Sequence, residues 1–260
     1  MISTGLTIAQ ITDTHLFENC DQALKDVTTA RSAAGGSALR SLQAVLERVR
    51  QRQPDILLLT GDLSQDETQE SYEHLRKAIV PLGVPAYRIP GNHDCPELIT
   101  SILSDAPFRS EKLLRWGGWQ GILLNSRVEG KVGGELSPES LQELDEALRR
   151  YPDLPAFVAL HHPVFDVGSA WMREIGLNNA EDFLAVIDRH PQVRLVLFGH
   201  IHQVFEQRRR GVTYLGSPST CVQFKPHSET FAIDDEAPGF RMVRLWADGR
   251  FETAVERVPV

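Results

Sequence analysis

Five short apolar runs in this chain end the same way, in a turn that carries Asp, Asn or His. LTIAQI precedes Thr12-Asp13, DILLL precedes Thr60-Gly61-Asp62, and AYRI precedes Pro90-Gly91-Asn92. AFVAL precedes His161-His162-Pro163, and RLVLF precedes Gly199-His200. Runs of four to six residues rich in Ile, Leu and Val, bounded by turn formers, read as buried strands. Between them the apolar spacing becomes helical. Leu39, Leu42, Val45, Leu46 and Val49 keep an i, i+3, i+4 rhythm, as do Leu141, Leu144 and Leu148 behind a Ser137-Pro138-Glu139 helix start. Phe183, Leu184 and Ile187 repeat the pattern within 180–189. Strands alternating with helices give an α/β layered fold.

The last third differs. VTYLGSPSTCVQF, FRMVRLWA and FETAVERV read as strands separated by Gly-Ser-Pro and Asp-Gly turns with no helix between them, and Asp248-Gly249 is a strong hairpin signal. No Pro/Gly/Ser linker divides the chain, so a single domain over 1–260 is expected. With Lys+Arg 27 against Asp+Glu 35 the net charge is −8, which disfavours nucleic acid as a partner. Arg208-Arg209-Arg210 beside Gly211 reads as a solvated hairpin turn. Cys20, Cys95 and Cys221 stand far apart without metal or disulfide spacing, which fits a reducing compartment; Cys221 reads as a small strand residue. The first residues, MISTGLTIAQITD, lack the features of a signal peptide, and no apolar run is long enough to span a membrane. The expectation is a cytoplasmic protein without a membrane partner.

The chemistry gathers at the strand ends. Asp13 and His15 form an Asp-x-His pair, and His200 and His202 repeat that spacing; in extended chain both members of such a pair point the same way. Asp62 ends one run, Asn92, His93 and Asp94 follow another, and His161 and His162 end a third. Six of the nine histidines therefore lie where open α/β sheets place their ligand crevice. Each piece alone reads as an ordinary turn, but together they point to a dinuclear metal site. Two cations about 3.5–4 Å apart need one bridging carboxylate, and Asp62 sits between the other blocks. Mixed His and carboxylate donors suit Fe or Mn, and also Zn or Co, over Mg or Ca. His74, His190 and His227 stand outside any motif and read as surface or capping residues.

These blocks resemble the signature of the calcineurin-like metallophosphoesterases. More narrowly, Ile11–Phe17 (ITDTHLF), Thr60–Asp66 (TGDLSQD), Gly199–Gln203 (GHIHQ), Pro218–Pro226 (PSTCVQFKP) and Ala237–Arg241 (APGFR) resemble the bacterial class III 3′,5′-cyclic AMP phosphodiesterases. The resemblance spans nearly the whole chain. Residues 25–38 (KDVTTARSAAGGSA) depart from it, being longer and richer in Ala and Gly than the corresponding loop. It implies a four-layer αββα sandwich of two mixed sheets flanked by helices, with the metal site at the strand C-terminal ends. It implies Asp13, His15, Asp62 and His202 at one metal, and Asp62, Asn92, His161 and His200 at the other. His93 would stabilise charge or protonate the leaving oxygen, with Asp66 or Asp94 orienting it, and Asn92, His93 and His202 would meet the substrate. His162 would hydrogen-bond behind the site. The implied reaction is hydrolysis of 3′,5′-cyclic AMP to 5′-AMP by metal-bound hydroxide. The rivals are a related enzyme for glycerophosphodiesters or other diesters and a non-catalytic scaffold of the same fold. Base and ribose contacts are expected in 217–227 and in the 16–38 loop.

Overall fold

The computed structural model describes residues 5–19 and 37–260, so most of the 16–38 loop, including 25–36, lies outside the described residues. Among these, two six-stranded sheets face each other. The first contains four parallel strands, β1 (Leu6–Ile11), β2 (Ile56–Thr60), β3 (Ala86–Ile89) and β4 (Phe108–Arg109). Strands β13 (Gly239–Leu245) and β14 (Phe251–Arg257) close its edge antiparallel, giving the order β14-β13-β1-β2-β3-β4. The second is built from β5 (Leu113–Trp116), β6 (Trp119–Leu123), β7 (Ala156–Ala159), β8 (Val193–Phe198), β9 (Phe205–Arg209) and β10 (Val212–Gly216). Its order is β5-β6-β7-β8-β10-β9. Both sheets are mixed, as expected.

The central runs read as continuous apolar stretches because both faces are buried. Leu6, Ile8, Ile56 and Leu58 point into the layer between the sheets, where they meet Phe157, Leu195 and Leu197. Ala9, Ile11, Leu57 and Leu59 point outward onto α1 (Ala38–Arg52) and α2 (Gln69–Ile79). On the far side, Val158, Val196 and Phe198 pack under α4 (Pro138–Arg150) and α5 (Ala180–Ile187). Ser37 caps α1 by accepting from Arg40 N, and Ser137 caps α4 by accepting from Ser140 N at 3.1 Å. A further helix, α3 (Pro96–Ile102), comes after the turn that ends β3.

Three expectations need correction. The run 212–224 divides at Gly216-Ser217-Pro218 as expected, but of the part beyond that turn only Gln223–Phe224 pairs again, as β11 with β12 (Ile233–Asp234). Pro218 cannot donate to a ladder, which ends pairing there. Cys221 is accordingly a half-buried loop residue, and burial pushes its thiol up to about 12. His190 is neither a surface nor a capping residue. It is 6% exposed, and its Nε2 donates to Asp145 Oδ1 at 2.9 Å. The Arg208–Gly211 turn does stand as expected: Arg210 and Gly211 take φ 48° and 84°, and the arginines pair with Glu206 and Asp188.

Asp145 ties α4 to the segment after α5, since it also accepts from Arg189 at 3.0 Å and from Arg149. The His190 hydrogen bond, with both arginines, holds its carboxyl well below the ordinary carboxylate range. The folded state therefore binds this proton less readily than the unfolded chain, whose value is about 3.9. The stabilisation is full above about pH 5 and drains as pH falls towards the folded value. Asp145→Asn is expected to cost about 2 kcal/mol at pH 7. Urea unfolding at pH 7 and pH 3 checks this, because the gap between wild type and variant should narrow at the lower pH.

Candidate metal centre

Each site segment begins where a parallel strand stops. Asp13 and His15 follow β1, Asp62 follows β2, and Asn92, His93 and Asp94 follow β3. His161 and His162 follow β7, and His200 and His202 follow β8. The site thus straddles the shared edge of both sheets. The two Asp-x-His and His-x-His pairs are not extended chain. Asp13, His15, Asp62, His200 and His202 take φ of 54°, 44°, 51°, 67° and 48°. Left-handed backbone costs about 1–2 kcal/mol per non-glycine residue. Five of nine such residues among those described belong to the seven metal-ligand candidates, so the strain is concentrated here.

Hydrogen bonds between neighbouring loops hold these turns. Asp13 N donates to Gly61 O at 2.9 Å and His15 N to Asp62 O at 3.0 Å, while His200 N donates to both Asp13 carboxylate oxygens at 3.1 Å. Asp94 joins the loops after β2 and β3. It accepts from Leu63 N and Ser64 N at 3.0 Å, from Gly91 N at 2.8 Å and from Tyr72 Oη at 3.0 Å. Burial first, then the nearby Asp62 charge, pushes its carboxyl up to about 6. Gly91 lies so close to Asp62 that an added Cβ would overlap the carboxylate.

The donor atoms converge in two groups. In one, His15 Nε2 lies 3.0 Å from His202 Nε2, and His202 Nε2 lies 3.3 Å from Asp13 Oδ1. In the other, His200 Nδ1 lies 2.9 Å from Asn92 Oδ1 and 3.2 Å from His161 Nε2, which itself stands 3.3 Å from Asn92 Oδ1. Asp62 Oδ2 faces both, 3.8 Å from His15 Nε2 and 3.3 Å from His161 Nε2. Donors about 2.1 Å from a common cation stand about 3 Å apart when they meet it at right angles.

The hydrogen bonds behind the donors agree. His161 Nδ1 donates to Thr60 O and His202 Nδ1 to Val222 O, each at 2.8 Å, so each Nε2 is the ring nitrogen that faces inward. Among the described residues, His15 Nδ1 and His200 Nε2 are buried without a hydrogen-bond partner. Burial pulls His15 down to about 4 and His200 well below its usual value, which keeps both neutral. Burial acts the same way on His161, but the Asp62 carboxylate outweighs it and lifts the ring to about 9. Burial alone would raise Asp62; His161, His15 and His93 hold it well below the carboxylate range instead. Converging ring nitrogens and the Asn92 oxygen beside two buried carboxylates call for positive charge, so the residues fit a pair of cations.

His93 lies at the rim, partly exposed, with its backbone N on Asp62 Oδ1 at 2.9 Å and its ring 5.3 Å from that of His15. Neither Asp66 nor Asp94 orients its ring. Asp94 is occupied by the amides and the Tyr72 hydroxyl, and Asp66 accepts from Glu18 N and Thr68. Gln65 Nε2 donates to His93 Nδ1 at 3.3 Å, which leaves the proton of the neutral ring on Nε2. His162 stands behind the site. Ser126 Oγ donates to its Nδ1 at 2.8 Å and its Nε2 donates to Val132 O at 3.1 Å. Gln65 stands inside the Thr60–Asp66 block without being singled out there, and Tyr72 and Ser126 carry no motif; only the helical spacing of Tyr72, Leu75 and Ile79 hints that Tyr72 faces inward.

Residues 6–204 match the model of the calcineurin-like phosphoesterases. The chain belongs to that family. Calcineurin-like phosphoesterases use a dimetal centre, and this chain has His/Asp clusters that could hold metal ions. A Nostoc protein named 3′,5′-cyclic-nucleotide phosphodiesterase is 47% identical over 256 residues, covering 98% of this chain and 93% of its own. An Escherichia coli K12 protein named 3′,5′-cyclic adenosine monophosphate phosphodiesterase is 39% identical over 254 residues, covering 96% and 89%. In fold the chain is similar to a dimetal phosphatase from Danio rerio, with a TM-score of 0.68 at 17% identity over 97% of this chain and 99% of the other. Among the described residues of this phosphoesterase, no helix is long and apolar enough to cross a membrane.

The Asp94 junction gives a stability test. Asp94→Ala leaves three buried amides without an acceptor and is expected to cost about 3–5 kcal/mol, whereas Tyr72→Phe removes one hydrogen bond and costs about 1 kcal/mol. Thermal unfolding of the two variants should show this order, and equal shifts would contradict it.

Proposed function

We propose that this phosphoesterase is a metal-dependent phosphodiesterase that opens 3′,5′-cyclic AMP to 5′-AMP, over a single domain of residues 1–260. The observation that carries the reading is the Asp62 carboxylate facing both donor groups at 3.3 and 3.8 Å. Near full-length identity to proteins named as cyclic-nucleotide phosphodiesterases supports the substrate. Asp13, His15, Asp62 and His202 hold one cation, and Asp62, Asn92, His161 and His200 the other, with iron or manganese as the fitting metals. When bound, the pair supplies Lewis acidity toward the phosphoryl oxygens and the attacking water. Asn92 offers a neutral carbonyl oxygen, so less of that positive charge is cancelled. Asn92, His93 and His202 line the position of the phosphate. Water adds to phosphorus, the bond from phosphorus to the 3′ oxygen breaks, and His93 passes a proton from Nε2 to that leaving oxygen while the proton shed by the attacking water returns to the ring. The free thiols of Cys95 and Cys221 suit a cytoplasmic location.

Turnover of cyclic AMP, cyclic GMP, a glycerophosphodiester and a nitrophenyl diester by metal-analysed protein tests the substrate. Cyclic AMP is expected to be preferred, chelation to abolish turnover, and Mn²⁺ or Fe²⁺ to restore it. Hydrolysis of the glycerol diester with cyclic AMP inert would replace the reading with the glycerophosphodiesterase one. Asp62→Ala should release both cations, and Asn92→Ala chiefly one.

His93→Ala is expected to lower kcat for cyclic AMP about 10²–10⁴-fold with metal content unchanged. A nitrophenolate leaves without protonation, so the same variant should lose much less on that diester. Equal losses on both substrates would assign His93 to charge stabilisation, and loss of a cation would make it a ligand.

A further inference from the structure

The donor groups address a phosphate but leave the rest of a nucleotide unaccounted for. One face of His202 is covered by Phe224, whose ring lies parallel to it, with centroids 3.9 Å apart and planes 5° from coplanar. Phe224 meets Trp171 and Phe231 edge-on, each at 5.3 Å, and those two meet each other at 5.1 Å. The rings make a continuous path from a metal-ligand candidate to the surface, where Phe231 is 44% exposed.

This path is rigidly mounted. His202 Nδ1 donates to Val222 O, Phe224 N donates to His202 O at 3.2 Å, and Lys225 N donates to Ala232 O at 2.8 Å across the β11–β12 pair. Ala170 N donates to Ser228 O at 3.0 Å, fixing the turn that carries Trp171 to the same hairpin. Support of His202 accounts for Phe224 alone. It does not account for Phe231, an exposed aromatic in a tip made of His227, Ser228, Glu229 and Thr230. Nor does it account for Trp171, whose buried indole N–H has no acceptor among the described residues.

Resting on the phosphodiesterase reading above, we infer that Trp171, Phe224 and Phe231 form the platform that receives the purine of the bound nucleotide. Aromatic side chains hold nucleobases by stacking, strongly enough for tenfold effects or more per base. A platform of this kind selects a nucleoside diester over a glycerol diester, a choice the metal centre cannot make because both present the same phosphate.

Calorimetric titration of the manganese-loaded full chain with 5′-AMP and with ribose 5-phosphate tests this. Wild type is expected to bind 5′-AMP about tenfold or more tighter than the base-free sugar phosphate. Phe231→Ala should lose most of that preference while its affinity for ribose 5-phosphate stays within about twofold, and Phe231→Trp should keep it. The KM for cyclic AMP should rise in Phe231→Ala with kcat little changed. Equal affinities in wild type, or equal loss of both ligands in Phe231→Ala, would overturn the platform. Preference for 5′-AMP that Phe231→Ala removes, in a protein that leaves cyclic AMP intact, would keep the platform and overturn the phosphodiesterase reading instead.

Discussion

Everything at the shared edge of the two sheets is arranged around the carboxylate of Asp62. The first sheet presents Asp13, His15, Asp62 and Asn92, and the second presents His161, His200 and His202. Asp62 lies on the β2 side yet approaches His161 of the opposite sheet as closely as the histidines approach one another. Its other oxygen accepts from His93 N, so one side chain fixes the rim residue and faces both donor groups. A buried carboxylate is costly unless charge or hydrogen bonds meet it. Here four imidazoles and a second carboxylate share its low-dielectric surroundings, and that combination makes sense as a receptor for cations.

Such a receptor must keep its shape when nothing compensates its internal repulsion. Five of its residues sit in left-handed backbone, so the local chain alone would not hold it. The restraint comes from outside. The apolar layer of Ile8, Leu58, Phe157, Leu195 and Leu197 fixes the strand ends relative to each other. Asp94 then locks the two loops that carry Asp62 and Asn92, using an acceptor capacity that Tyr72 completes from α2. Asp94, the one carboxylate of the Gly-Asn-His-Asp turn, is therefore structural, and the ring of His93 is left to a neutral amide, Gln65.

The strand ends were legible in the sequence because burial on both faces removes the polar alternation and leaves unbroken runs, each with a sharp polar stop. That was enough to place all seven metal-ligand candidates at one edge. The means of convergence was not legible, since Asp13 with His15 and His200 with His202 meet their partners through left-handed turns and not through the pleat of extended chain. The Gly216-Ser217-Pro218 turn was legible as the break after Leu215, but the length of the loop beyond it was not, since Ser219–Val222 carry no local sign that they stay out of a strand. His190 looked like a surface residue because its reason for burial, Asp145, lies 45 positions earlier on another helix. Pairings of that kind have no local signature. The short strands β4, β5 and β9 likewise owe their existence to neighbours already in place.

The chain also divides its labour by position. The family match ends at residue 204, after the last ligand candidate, so the first four-fifths carries what all such phosphoesterases need. The C-terminal fifth is used differently. Strands β13 and β14 extend the first sheet, and β10 extends the second, while the loop between β10 and β11 folds back over the site. Ser219 donates to Asp13 O, Thr220 N donates to Thr12 O, and Val222 O accepts from His202. The segment that would distinguish one diester from another is thus bonded directly to the backbone and side chains of two ligand candidates. Changes in what covers the phosphate would be felt at the metal centre, and this coupling gives a physical reason why the sequence resemblance to cyclic-nucleotide enzymes persists past the family's common core into PSTCVQFKP.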